Sequence, residues 1–416
     1  MMNPQSTLIK LVLLVTVVGP SLAMGLFGTS SMAAGSLVVS LLYVCIFIAL
    51  ASYAWPHKSL APWAMIVFFG TDILYLHGAY SFFTYYEFDF TRFWQSHLLL
   101  IAYSLGAYCL VILAQRVSTE QADGAIKFVF WALILSAIAG LAHFSPFFPE
   151  EAFKSVLFYG EPSHFALDFL PLLLYTVVRS RPWLKLALLL GSLALCLMLE
   201  NLTLMVGVAL VFVMTVRLRL LLLLLPVVIF ALLATNLEYY AERLDLSGSS
   251  SNLSTLVYMQ GLERAYLNLT ETRGLGVGFQ QFGIVGSMGE VLEEIKALIG
   301  REANLLDGGS LAQKIVGEFG ILGILCMMLY FGYFVRSAKW LFRESVGLGL
   351  PADPRDVFFH SCFAMYAIDL LIRGVGYFSS SGFLFVASLC WLFLKPLGSA
   401  RHSPATASLK AASLRG

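Results

Sequence analysis

Glu161, Pro162, Ser163 and His164 follow one another in FYGEPSHFAL, residues 158–167, within a chain that is otherwise mostly apolar. A carboxylate, a hydroxyl and an imidazole this close together have the chemistry of general acid–base work, because they can accept a proton from a reacting hydroxyl or hold one in place. A plain helix start also fits. Proline loses no hydrogen bond in a first helical turn, and a carboxylate is stabilised by the positive end of the helix dipole. That simpler reading accounts for Glu161 and Pro162 and leaves His164 without a reason.

Two arginine–glycine segments supply the opposite charge. In RGLGVGFQQFG, residues 273–283, Arg273 is followed by Gly274, Gly276 and Gly278, and Arg264 lies a short way upstream. The segment lacks the lysine of a phosphate loop and the strand that would precede one. What remains is a backbone that a ligand can approach closely beside a guanidinium, whose planar fork suits a diphosphate; the alternative is a flexible turn with a solvated Arg. In DLLIRGVGYFSSSGF, residues 369–383, Arg373 stands between two apolar stretches and is followed by Gly374, Gly376 and Tyr377. An Arg in that setting either snorkels or is paired. Glu318, inside LAQKIVGEFGILGIL at 311–325, is a further ionisable residue in an apolar run, able to make an interhelical hydrogen bond. Asp72, Asp168 and Asp369 lie deeper.

Membrane spans must position these groups. The chain is 59% hydrophobic and only 12% charged, far from the balance of a soluble domain. Its net charge of +1 offers no field for nucleic acid, and the six Cys are scattered through apolar runs without the spacing of a disulfide framework or thiolate metal site. Measured against the length needed to cross a bilayer, about twelve apolar segments emerge. They cover 8–27, 37–54, 62–80, 97–114, 126–144, 163–178, 183–199, 202–216, 218–235, 311–335, 358–372 and 376–394. The first is closely followed by another span and lacks a cleavage site, so it is expected to stay as a helix. The expected class is an all-α polytopic membrane protein.

Basic residues near spans stay cytoplasmic. With the N-terminus inside, Arg179, Arg181, Lys185, Arg336, Lys339 and Arg343 fall on the cytoplasmic side, while Glu161, Arg273 and Arg373 fall on the other. The chain then divides into N-terminal spans over 1–235, an outer loop over 236–310, C-terminal spans over 311–395 and a tail over 396–416. The loop is too long for a structureless connection, and helical spacing recurs at 237–244, 257–269 and 291–303. Such helices would cap a cavity. The small-residue-rich tail reads as disordered.

In order and placement, FYGEPSHFA, RGLGVGFQQFG, LAQKIVGEFGILGIL and the Arg-Gly pair at 373–374 with Tyr377 resemble the Wzy-type O-antigen and exopolysaccharide polymerases, in the superfamily that includes the O-antigen ligases. The resemblance covers nearly the whole chain. It implies a GT-C-like glycosyltransferase of the bacterial inner membrane that moves a growing glycan from undecaprenyl diphosphate to the non-reducing end of a lipid-linked repeat unit on the periplasmic face. It implies no cofactor, nucleotide sugar or metal. Its implied partners are the undecaprenyl-diphosphate-linked oligosaccharide, the bilayer, and a chain-length regulator and flippase of the same pathway.

The transfer needs an acceptor for the hydroxyl proton and cations for charge developing on the departing diphosphate. Glu161 or His164 suits the first role, with the choice open; Arg264, Arg273 and Arg373 suit the second, with Gly274, Gly276, Gly278, Glu318 and Tyr377 at the substrate. A ligase is the nearest alternative, and the absence of His from 236–310 weighs against it. A transporter would show internal repeats or paired broken helices, and neither is expected from the sequence.

Overall fold

The computed structural model describes residues 4–29, 31–51, 60–148, 155–217, 252–348 and 351–394. Among these residues the fold is all-helical, with thirteen α-helices and no strand. They are α1 (Pro4–Phe27), α2 (Ala33–Ala51), α3 (Ala61–Thr84), α4 (Phe90–Arg116), α5 (Thr119–Leu141), α6 (Pro162–Val178), α7 (Pro182–Met198), α8 (Leu202–Thr215), α9 (Leu253–Glu271), α10 (Val291–Ile299), α11 (Leu311–Ser345), α12 (Pro354–Leu371) and α13 (Ser380–Leu394). Every apolar segment expected to cross the membrane coincides with one of these helices, except 218–235, which lies outside the described residues together with the helix expected at 237–244 and the tail.

Length separates the helices into two groups. Five are long and apolar enough to cross a membrane alone: those at Ser6–Phe27, Ala61–Thr84, Phe90–Arg116, Thr119–Leu141 and Leu311–Ser345. Others, such as α6, α7 and α8, are apolar but short. At ~1.5 Å per residue, α8 spans roughly 21 Å, less than a hydrocarbon core of about 30 Å. Protein contacts stand in for the missing length. α6 is buried along all of 165–178 and packs against α5, α8 and α12, the behaviour of a helix that is hydrophobic all round. α3 is the opposite case: it leans on α4, and Met65, Phe68, Phe69, Ile73 and Leu76 turn outward, as a lipid-facing stripe would.

Sequence pattern sets the helix ends. Ser118 and Gln121 form a reciprocal capping box at the start of α5, and Asn201 accepts from the Leu204 amide to start α8. α9 and α10 lie where the outer loop is expected. The short amphipathic α10 places Ile295, with Val291 and Ile299, against Leu256 and Val257 of α9, and both amides at its start donate to the Glu263 carboxylate, at 2.8 and 3.0 Å. It stops at Gly300, whose φ of 72° suits a left-handed C-terminal cap.

One helix is interrupted. α11 is broken at Gly320, where φ is 56° and ψ is −131°. In an unbroken helix the Ile321 amide would donate to the Gly317 carbonyl. Here the glycine segment enters between them: Val277 and Gly278 amides donate to the Gly317 and Glu318 carbonyls at 3.0 Å, and Ile321 donates to the Gly274 carbonyl at 2.8 Å. Sequence hides this break because an isolated Gly is tolerated in helices, and the partner that stabilises the open turn lies some forty residues upstream. A Cβ on Gly276 would come within 2.4 Å of the Glu318 carbonyl oxygen, and φ there is +83°. Gly276→Ala is therefore expected to lower stability by at least about 1–3 kcal/mol from backbone strain alone. Thermal unfolding in lipid nanodiscs checks this against Gly70→Ala, a position on α3 with nothing within 4 Å of an added Cβ.

Candidate functional site

Glu161 is the N-cap residue of α6, with Pro162 starting the helix, yet its side chain makes no capping hydrogen bond. The carboxylate turns elsewhere. Glu161 Oε2 accepts from Ser163 Oγ at 2.9 Å and from Arg373 Nη2 at 2.9 Å, and His164 Nε2 lies 3.9 Å away. Proline thus starts the helix as expected, while the carboxylate is engaged by side chains from two elements. Arg373 follows the end of α12, its amide still bonded to the Ile368 carbonyl, so the last helical turn delivers the guanidinium across to the start of α6.

Burial and charge act against each other at Glu161. Burial alone would raise its carboxyl, but Arg373, His164 and the Ser163 hydroxyl together outweigh that and bring it from 4.5 to about 2. Its side chain is 47% exposed, whereas that of Arg373 is 18% exposed. Hydrogen-bonding capacity is left over: the Arg373 Nε donor and His164 Nδ1 are buried and have no hydrogen-bond partner.

The segment after Arg373 leads to a second cluster. The Gly374 amide donates to the Gly309 carbonyl, and a Cβ on Gly374 would fall 2.5 Å from the Leu311 nitrogen. Gly376, at φ +82°, passes beside the Asp307 carboxylate. Tyr377 donates its hydroxyl to Glu318 Oε2 at 2.8 Å, and the other Glu318 oxygen accepts from the Phe282 amide at 3.3 Å. The Lys314 ammonium sits 5.1 Å over the Tyr377 ring. That ammonium is 1% exposed and fully spent, donating to Asp307 Oδ1 at 2.6 Å, the Leu306 carbonyl at 2.9 Å and Gln280 Oε1 at 3.3 Å. Arg92, at the start of α4, reaches the same Gln280 oxygen at 3.1 Å. Burial would raise the Asp307 carboxyl, but Lys314 and Arg92 hold it below its ordinary value.

The sequence-derived candidates therefore fall into three groups. Glu161, His164 and Arg373 meet directly. Glu318 and Tyr377 meet each other on the adjoining cluster. The others add no side chain to either set: Arg264, wholly buried on α9, donates to the Met288 sulfur at 2.7 Å and stacks 5.6 Å over Phe282, which pins the loop after the glycine segment. Arg273 is exposed at φ 52°, with no side-chain hydrogen bond or ion pair among the described residues. Gly274, Gly276 and Gly278 face protein, with Ile321, Glu318 and Ser81 as the respective first neighbours.

Sequence alone passes over Lys314, Asp307, Gln280 and Arg92. Lys314 had a usable signal, since it lies one helical turn before Glu318 on the same face of an apolar helix. Asp307 and Gln280 carry no signal of their own, because each lies in a polar loop. Among the described residues no group of three or more His, Cys, Asp or Glu is arranged to hold a metal ion.

No family model, curated protein or solved structure matches the chain.

The Glu161 shift has a sign that can be read in solution. A carboxyl held below its unfolded value contributes stability that is present above that value and is lost as pH falls through the folded one. The stability difference between wild type and Glu161→Gln in nanodiscs is expected to be constant above pH 4.5 and to shrink as pH falls toward about 2. A difference that stays flat across that acid range would contradict the Arg373 pairing.

Proposed function

We propose that the chain is a membrane-embedded glycosyltransferase of GT-C type, which transfers a growing glycan from undecaprenyl diphosphate to the non-reducing end of a lipid-linked repeat unit at the periplasmic face of the inner membrane. The observation that carries this reading is the Glu161–Arg373 pair, a half-exposed carboxylate held 2.9 Å from a guanidinium with donors to spare. In the reaction, the acceptor oxygen bonds to the anomeric carbon as the bond from that carbon to the diphosphate oxygen breaks. The departing diphosphate takes the electron pair, and the acceptor proton passes to the enzyme.

Held at about 2, Glu161 is a poor base while Arg373 is its partner. A diphosphate that draws Arg373 to itself removes that restraint and leaves burial to raise the carboxyl toward useful basicity. Substrate binding would thus switch on the base, so that an unoccupied site takes up no proton. His164, one turn into α6, is the other base within reach of the same point.

A transporter of lipid-linked glycan is the second reading. The break in α11 at Gly320 favours it, since interrupted helices are a feature of transporter sites. One experiment separates the two. Purified full-length protein is reconstituted in liposomes with undecaprenyl-diphosphate-linked oligosaccharide from the source membrane, without nucleotide sugar. Wild type should produce a ladder of lengthening glycans. Arg373→Ala should lose about 10²–10³-fold in rate, as when a charge-stabilising donor is removed. Movement of the lipid across the bilayer without a ladder would replace the enzyme reading with the transporter, and transfer only onto a lipid A core acceptor would make the chain a ligase.

A further inference from the structure

α12 finishes beside the Glu161–Arg373 pair and begins at the opposite end of the bundle, where several cations are spent on protein. Lys185 donates to the Ser345 carbonyl and hydroxyl, both at 2.6 Å, and the Ser345 hydroxyl donates on to the Thr215 carbonyl. Arg179 donates to the Ala352 carbonyl at 3.0 Å, and Arg355 to the Asp353 carboxylate and the Val117 carbonyl. Lys339 and Arg343, one turn apart on α11, differ. Both are exposed, and neither has a hydrogen bond or ion pair among the described residues.

These two cations border a groove of about 350 Å³ between the ends of α8 and α11. Its other lining side chains are apolar, with Val213 and Met214 on the α8 side and Ala338, Phe342 and Leu348 on the other. Ser345 sets the spacing of the walls, because it ties the last turns of both helices to the start of α7. The negative end of α11 is capped. The Phe342, Arg343 and Glu344 carbonyls accept from the Val346, Leu348 and Gly347 amides, and Lys185 takes that of Ser345. Glu344, the carboxylate next to Arg343 in the chain, is engaged by the Ala352 amide at 2.9 Å. An anion entering the groove therefore meets two unspent cations.

The face of α11 that carries them indicates what kind of anion fits. Reading back from Arg343 and Lys339 in steps of three, four and seven residues gives Val335, Met328, Leu325 and Ile321, which share one side of the helix. All four are apolar and between 46% and 64% exposed. At ~1.5 Å per residue this strip runs roughly 21 Å, longer than half of a hydrocarbon core of about 30 Å. A soluble anion would leave the strip unused, whereas a lipid matches both the cations and the apolar face.

We propose that the groove between α8 and α11 is a binding site for an anionic phospholipid, with the phosphate between Lys339 and Arg343 and an acyl chain along the α11 strip. Arg343 supplies a planar fork for two phosphate oxygens and Lys339 a point charge beside it. The site does not depend on the reaction proposed at the other end of the bundle.

Native mass spectrometry of the full-length protein, titrated with phosphatidylglycerol or with phosphatidylcholine of the same chains, tests this. Wild type should retain one phosphatidylglycerol at concentrations where phosphatidylcholine is lost. K339Q/R343Q should weaken that binding about 10–30-fold, the worth of two charges near a lipid surface. R181Q/R301Q, which removes the same charge from exposed positions outside the groove, should leave it unchanged. Equal retention of the two lipids, or an equal loss in the two double variants, would overturn the proposal. So would displacement by glycerol phosphate at matched concentration, which makes the ligand a soluble anion. A measurement on wild type alone covers the case of misfolded variants: phosphatidylglycerol with a photoreactive acyl chain should label residues 321–335, and labelling confined to other segments rejects the site.

Discussion

The loop end of this protein depends on an exchange of backbone hydrogen bonds. In a bilayer every peptide group needs an internal partner, because lipid offers none. α11 opens its own ladder at Gly320, and the segment 274–278 fills the opening by taking the Gly317 and Glu318 carbonyls and accepting from Ile321. Only glycine suits such an approach. A Cβ on Gly320 would stand 2.0 Å from the Gly274 carbonyl oxygen, and one on Gly276 2.4 Å from that of Glu318. The outer layer is therefore stitched into the bundle, and Phe279 and Phe282 are carried to the positions from which they meet Tyr377 and the Glu318 carboxylate.

That dependence explains which parts of the site could be read from sequence. Glu161, His164 and Arg373 stand out because each is an ionisable residue at the edge of an apolar helix, where burial without a purpose is costly. The three meet because α6 begins and α12 ends at the same level, a relation that span counting approximates. The glycines were legible as places of close approach, but not as to what approaches them. Read alone, RGLGVGF invites a ligand; in the fold, α11 itself takes that place. Arg264 misleads for a related reason: its charge draws attention, yet it lies at 0% exposure with a thioether, a carbonyl and a ring for company. Spacing carries the type of a residue, while the partner that decides its role comes from distant chain.

Helix length shows the same limit. The apolar segments fall on helices wherever the structure describes them, but α6, α7 and α8 are short for a bilayer, and whether they touch lipid is decided by neighbours. α6 meets other helices all along 165–178, so this short apolar stretch lies in the interior of the bundle. Placing the Glu161 carboxylate at the end of that helix gives it a rigid support.

The two ion pairs joined by residues 373–377 differ in how far their cations are buried. Lys314 is 1% exposed, and each of its three donors has an acceptor, so no ligand could engage it without breaking a buried bond. Removing one partner there would strand a charge in a low-dielectric interior, which makes the pair a fixture. Arg373 keeps Nε free, and its partner Glu161 is 47% exposed. The two carboxylates are similarly exposed, 47% for Glu161 and 44% for Asp307, so the pairs differ in their cations: Arg373 is 18% exposed where Lys314 is 1%. The buried cluster holds Tyr377 and the glycine-bearing turn in place, and the more exposed Glu161–Arg373 pair lies at the other end of the same short segment.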